Sequence, residues 1–172
     1  MDHDGDFSAY AAARWPTLVR AAVFLGCSAH EAQDLVQTTL MRCYASWPRV
    51  QRVDDRDGYV YKVLVNSLRD SRRRRWWGEI PTATLPEHTG ADETVVIDVA
   101  DAVHRALANL SRAHRDVVVL RYFAHLGEQQ TAHALGIAPG TVKSRLSRAL
   151  AQLATDAHLL DLQFDLPQGA DQ

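Results

Sequence analysis

Apolar residues recur at helical spacing through the first quarter of the chain. Phe7, Tyr10, Ala11, Leu18, Ala21, Ala22 and Leu25 fall roughly on one helical face, with Pro16 as an interruption. Gly26 can end that segment, and Ser28 followed by Glu31 has the spacing of a capping box that starts the next helix. In that helix Val36, Leu40, Cys43, Tyr44 and Trp47 recur at i, i+4, i+7, i+8 and i+11, a single stripe expected to be buried. The opposite face carries Asp34, Gln37, Thr38, Met41 and Ala45, with Arg42 at its edge. A methionine on an otherwise polar face points to a protein contact. Pro48 is expected to end the helix and Arg49–Asp57 to form a polar loop. A further helix follows over Gly58–Arg75, with Val60, Val63, Leu64, Ser67 and Leu68 inward. Its other face presents Lys62, Asn66, Arg69 and Arg73 over roughly 16 Å at 1.5 Å per residue.

Helical patterning then lapses. Residues 79–100 hold Pro81, Pro86, Gly90, the threonines Thr82, Thr84 and Thr89 among others, and several acids, a composition that reads as a linker. It divides the chain into an N-terminal block, residues 1–78, and a C-terminal block, residues 101–155, followed by a tail at 156–172. Val103, Leu107 and Leu110 predict a short helix, and Ser111 can cap another centred on Val117, Val118, Leu120, Arg121 and Tyr122. The predicted fold is all-α: two small helical domains joined by a flexible acidic linker.

The segment Gly127–Leu146 fits a helix-turn-helix. Ala132 lets two helices approach, Gly136 permits positive φ in the turn, Ile137 anchors it, and Pro139 opens the second helix where its missing N–H costs little. Val142, Leu146, Ala149, Leu150 and Leu153 are expected inward. Thr141, Ser144, Ser147 and Arg148 are expected outward, flanked by Lys143 and Arg145. Small hydroxyls and cations with no acid suit a major groove, where they reach base edges and phosphates.

Charge supports that picture once it is read locally. The 172-residue chain has a net charge of −2, which by itself argues against a nucleic-acid partner. Yet Arg69, Arg72, Arg73, Arg74 and Arg75 cluster against a single Asp70, and no acid occurs from Gln129 to Thr155. Between the two basic patches, Trp76 to His104 contains no lysine or arginine. Each patch can neutralise phosphates locally. Tyr59, Tyr61, Trp47, Trp76 and Trp77 lie near the first patch in sequence, and arginines mixed with aromatics suit a single strand. Trp47 is better explained as core. No secretory signal and no apolar run of spanning length occur, and Cys27 and Cys43 are too few for a disulfide framework, so a cytoplasmic protein is expected. The histidines His104, His114, His125 and His133 lack metal-ligand spacing, and no nucleophile motif or phosphate loop appears, so neither a cofactor, a metal nor an enzymatic activity is expected.

Over residues 7–155 the chain resembles the extracytoplasmic-function (ECF, group IV) sigma factors of the sigma-70 family, with an actinobacterial subgroup the nearest likeness. Ala32–Gln37 with Leu40-Met-Arg42 and Trp47 looks like that family's region 2.2, and Tyr59–Arg75 is similar to regions 2.3 and 2.4. Val117–Tyr122 and Leu135–Ala149 look like region 4, and Gly140-Thr-Val-Lys-Ser-Arg145 followed by Ser147-Arg-Ala is the most specific match. The resemblance implies a factor that binds core RNA polymerase, recognises −10 and −35 promoter elements and helps open the DNA. Asp34, Gln37, Met41 and Arg42 would bind the polymerase β′ subunit. The 49–57 loop with Asn66 would hold a flipped base of the −10 element, and Lys62, Arg69, Arg72 and Arg73 would contact its backbone. Thr141, Lys143, Ser144, Arg145, Ser147 and Arg148 would read the −35 groove, with the C-terminal domain near the β subunit's flap. An anti-sigma factor is a further implied partner. The two elements lie about 70 Å apart and a linker of about 23 residues reaches at most roughly 75 Å, so one chain can span both.

The chain departs from the family pattern where Gln33 and Thr38 replace usual acids, where Leu110-Ser111 replaces Leu-Pro, and where Gln130 replaces a frequent glutamate. The tail mixes Leu159, Leu160, Leu162, Phe164 and Leu166 with aspartates, and folding onto the C-terminal domain is one fate for it, fraying another. The competing function is a stand-alone helix-turn-helix regulator, which leaves the arginine-rich N-terminal block unexplained.

Overall fold

The computed structural model describes residues 3–78 and 94–160, and every regular element in it is helical. The N-terminal half comprises α1 (His3–Phe24), α2 (Ala29–Tyr44), the short α3 (Trp47–Val50) and α4 (Arg56–Gly78). The C-terminal half comprises α5 (Thr94–Asn109), α6 (Arg112–Val118), a π-helical turn over Val119–Phe123, α7 (Glu128–Leu135) and α8 (Pro139–Leu153).

Local chemistry sets the helix ends. Gly26 adopts φ +100° after α1, a conformation that disfavours any Cβ. The Ser28 hydroxyl accepts from the Glu31 N–H while the Glu31 carboxylate accepts from the Ser28 N–H, completing the expected capping box. Those bonds, the Ser28 N–H first, hold the Glu31 carboxyl below the usual range, and Arg75 adds to the effect at 2.5 Å. Ser111 caps α6 through the His114 N–H. Gly136 ends α7 at φ +67°.

The structure corrects several expectations. Pro16 does not interrupt α1. It lies on the exposed side of the helix with Ala12, whose carbonyl loses its intrahelical partner but faces water, which removes most of the penalty. Pro48 opens α3 rather than ending structure, so the 49–57 loop is shorter than expected and α4 begins at Arg56. Tyr44 is not buried: it is 48% exposed, its hydroxyl donating to Asp4 at 2.8 Å and its ring resting on Phe7. Tyr122 is likewise exposed, because the π-helical turn shifts the register of the apolar stripe. Leu150 is 38% exposed on α8, whose inward stripe is narrower than predicted. Residues 94–100 are helical, so the segment joining the halves shortens to residues 79–93. Fifteen residues reach at most about 50 Å, so the halves' own widths must supply the rest of the distance between promoter elements. The linker's expected flexibility, and the tail beyond residue 160, lie outside the described residues.

One apolar cluster runs through both halves, from Leu18, Leu25, Val36 and Leu64 to Val117, Leu120, Leu135 and Val142. Trp47, 1% exposed, fills the base of the N-terminal half against Phe7 and Tyr10. Burial raises the Tyr61 hydroxyl to about 12 and the Cys43 thiol to about 11, and lifts the Cys27 thiol as well. Both cysteines are therefore protonated packing residues at neutral pH.

Candidate nucleic-acid and polymerase interface

The exposed side of α2 brings Asp34, Gln37, Thr38 and Met41 to one face, as expected from sequence. Met41 is 66% exposed with nothing apolar covering it. Asp34 sits 3.4 Å from the His30 ring one turn earlier. Arg42 belongs only partly to that face. Its guanidinium reaches across to α4, donating to Ser67 Oγ at 2.9 Å and lying 3.6 Å from Asp70. Arg42 therefore braces α2 against α4 and leaves its remaining donors for a partner.

The outward side of α4 holds Asn66, Arg69 and Arg73 exposed and Lys62 half-buried. Arg73 is paired loosely with Asp70 at 3.6 Å. Trp76, 88% exposed, stands near the end of this face, an unused π-surface of the kind a base stacks on. Arg72 differs from its neighbours. It is half-buried and donates to the Leu25 carbonyl at 2.6 Å, so it ties α4 to the end of α1. Burial lowers the Arg72 pKa and a nearby Arg112 lowers it further, while Asp116 opposes both.

On α8 the side chains of Lys143, Ser144, Ser147 and Arg148 are exposed, and Thr141 and Arg145 half-exposed. Val142 and Ala149 are wholly buried on the other side and fix the rotation of the helix. Ser144 Oγ donates back to the Thr141 carbonyl at 3.2 Å, and no acid lies on the helix. Every group offered outward can donate a hydrogen bond or neutralise a phosphate. The turn that presents α8 depends on Gly136, where an added Cβ would meet nothing within 4 Å. Gly136→Ala therefore carries only the backbone cost of left-handed φ, and thermal unfolding should show a loss of about 1 kcal/mol.

Sequence reasoning missed a set of contacts between the halves. Gln130 Nε2 on α7 donates to Asp55 Oδ1 at 2.7 Å, and the same Asp55 oxygen accepts from the Gly58 N–H at the start of α4. Arg69 donates to the Leu135 carbonyl at 3.0 Å, and Lys62 Nζ lies 3.3 Å from His133 Nε2. The Phe24 and Phe123 rings meet at 4.3 Å. Asp116 is half-buried near Arg72, Arg115, Arg69 and Arg112. Desolvation outweighs their attraction, so its carboxyl titrates above the usual range. The pairs that cross between the halves join residues far apart in sequence, so no periodicity could signal them.

No described helix is long and apolar enough to cross a membrane. Two family models match the chain: Sigma-70 region 2 over residues 11–78 and Sigma-70, region 4 over residues 100–153. The RNA polymerase sigma-E factor of Streptomyces coelicolor is 36% identical over 164 residues, covering 91% of this chain and 89% of that one. The ECF RNA polymerase sigma factor SigL of Mycobacterium tuberculosis is 33% identical over 155 residues, covering 86% of this chain and 84% of that one. Among solved structures, the sigma factor RpoE of Bartonella quintana, crystallised with the anti-sigma factor NepR, superposes with a TM-score of 0.69. It is 26% identical, covering 94% of this chain and 99% of that one. CnrH, solved with the cytosolic domain of CnrY, shares the fold with a TM-score of 0.66 at 22% identity over 90% of this chain and 87% of that one. Both regions match in order along one chain, and relatives above 30% identity align over most of its length, so this chain belongs to the ECF group of sigma-70 family RNA polymerase sigma factors.

Proposed function

We propose that this sigma factor, which directs core RNA polymerase to promoters, divides that task among three surfaces of the chain. The α2 face of Asp34, Gln37 and Met41, with Arg42 at its edge, docks on the polymerase β′ subunit. The α4 face of Lys62, Asn66, Arg69 and Arg73 holds the separated −10 strand, with Arg72 setting the helix in place. The 49–57 loop beside it receives a flipped base, whose extraction costs a few kcal/mol that pocket contacts must offset. The α8 face of Thr141, Lys143, Ser144, Arg145, Ser147 and Arg148 enters the −35 major groove, with the C-terminal half near the β subunit. Residues 11–78 and 100–153 then act as two domains with separate DNA targets. Phosphodiester bond formation belongs to the polymerase, and this chain contributes binding alone, in the cytoplasm. An anti-sigma factor is a natural partner, since the factors named in both structural neighbours were solved with one or with a cytosolic partner domain.

The observation that carries this proposal is the exposed, acid-free outer side of α8 in the same chain as an uncovered Met41 on α2. Met41→Asp places a charge at the centre of the α2 face. Co-elution with core polymerase should weaken by at least about tenfold, while duplex −35 binding by the free chain stays within about twofold. Unchanged polymerase association would remove α2 as the docking face.

A further inference from the structure

The first turns of α1 grip the 49–57 loop at both ends. Near its start the Gln51 carboxamide is pinned twice: Nε2 donates to Asp6 Oδ2 at 2.7 Å, and Oε1 lies 3.0 Å from His3 Nδ1. The same Asp6 oxygen accepts from Trp47 Nε1 at 3.2 Å and lies 3.9 Å from the Arg56 guanidinium. At the loop's end the Asp57 carboxylate accepts from the Tyr10 hydroxyl at 2.8 Å and from Arg14 Nη2 at 2.6 Å. Between these anchors Arg52 and Asp54 are exposed. We propose that Asp6 is a positioning residue for base recognition: through Gln51 it sets the register of the 49–57 loop, so that the loop's tip meets the flipped −10 base in one arrangement. This rests on the assignment of that loop to the flipped base.

One carboxylate oxygen thus gathers groups from three places along the chain: Trp47 in α3, Gln51 just after it, and Arg56 at the start of α4. The Gln51 bond above all holds the Asp6 carboxyl below the usual range, and Trp47 and Arg56 add to the effect. Asp6 is therefore an anion at neutral pH and the stronger acceptor for it. The Asp6 side chain is 45% exposed, so it buries little apolar surface and contributes through its bonds rather than its packing. A loop that reads an extracted base gains from being held in one conformation beforehand, because ordering a loose loop on binding costs affinity. His3, Asp6 and Tyr10 precede residue 11, where the region 2 match begins, so this anchor lies outside the part of the chain that the family model describes.

Asp6→Ala and Asp6→Asn separate this role from simple charge. An asparagine keeps a carbonyl oxygen where Oδ2 stands and can still accept from Gln51 and Trp47, whereas an alanine accepts nothing. Both remove one negative charge, so a purely electrostatic effect on DNA would be equal in the two. The full chain with core polymerase is given a promoter library randomised over the −10 element, and the promoters retained in heparin-resistant complexes are sequenced. Asp6→Ala should flatten the base preference at one −10 position by about fivefold, while Asp6→Asn stays within about twofold of wild type. Gln51→Ala, which removes the other partner of the bond, should match Asp6→Ala. Cooperative thermal unfolding checks that each variant is folded. A preference left intact by Asp6→Ala, or lost equally in Asp6→Ala and Asp6→Asn, overturns the positioning role. Replacing Arg52-Val53-Asp54 by Gly-Ser-Gly tests the reading beneath it. If that replacement leaves every −10 preference intact, the flipped-base assignment fails and the positioning role falls with it; if it flattens a preference that Asp6→Ala does not, the positioning role alone fails.

Discussion

Charge reversal of Arg69 and Arg73 should abolish promoter opening while leaving polymerase association within about twofold of wild type. Both side chains lie on the exposed side of α4, one helical turn apart, and Arg73 meets the α2 face only through Asp70, which it shares with Arg42. Each arginine removed forfeits a phosphate contact, and each glutamate added repels the strand, so the paired variant should lose about a hundredfold or more in strand separation. A fluorescent base analogue in the −10 region reports it directly. The sign separates two effects. Removing Arg69 also deletes its bond to the Leu135 carbonyl, which loosens the contact between the halves and by itself would expose more of the α4 face. Lost strand separation in spite of that loosening assigns α4 to DNA. Retained opening would mean that these arginines are only a solvated helix face.

Trp47→Ala should cost about 3–5 kcal/mol, a large part of the 5–15 kcal/mol typical of a whole domain. The indole is 1% exposed and edge-on to Phe7 at 5.1 Å, and it lies 5.2 Å from the Tyr10 ring. The Arg56 guanidinium stacks over it at 5.3 Å, and its Nε1–H donates to Asp6 at 3.2 Å. Truncation therefore unlocks α1, α3 and the start of α4 together, and removes the frame that holds the 49–57 loop. The thermal midpoint should fall by about 10 °C or more. Trp76→Ala, at the exposed end of α4, should stay within about 0.5 kcal/mol. Equal tolerance of both substitutions would mean that Trp47 is not a packing centre.

What could be read in advance was what local chemistry determines. Ser28 with Glu31, Ser111, and Gly136 with Pro139 marked helix ends because each acts through its own backbone. The uncovered α2 face and the acid-free α8 face were legible because 3.6-residue periodicity sorts side chains by side of the helix. Expectations failed where a longer-range fact decides. Pro16 is tolerated because its turn of α1 faces water, and Tyr44 and Tyr122 lie outside because of neighbours and a π-turn that spacing does not encode. Arg72 looked like its neighbours in the arginine run but is claimed by the Leu25 carbonyl and faces Asp116. Gln130 registered only as a missing glutamate, yet it bridges to Asp55, 75 positions away.

The most direct test of three cooperating surfaces is a DNase footprint on genomic promoter fragments, with the purified chain alone and with core polymerase added. The expected pattern is no extended footprint from the chain alone, and joint protection of −10 and −35 sequences with opened −10 DNA once polymerase is present. A full, sequence-specific footprint by the chain alone that polymerase leaves unchanged would contradict the mechanism and point to a stand-alone helix-turn-helix regulator.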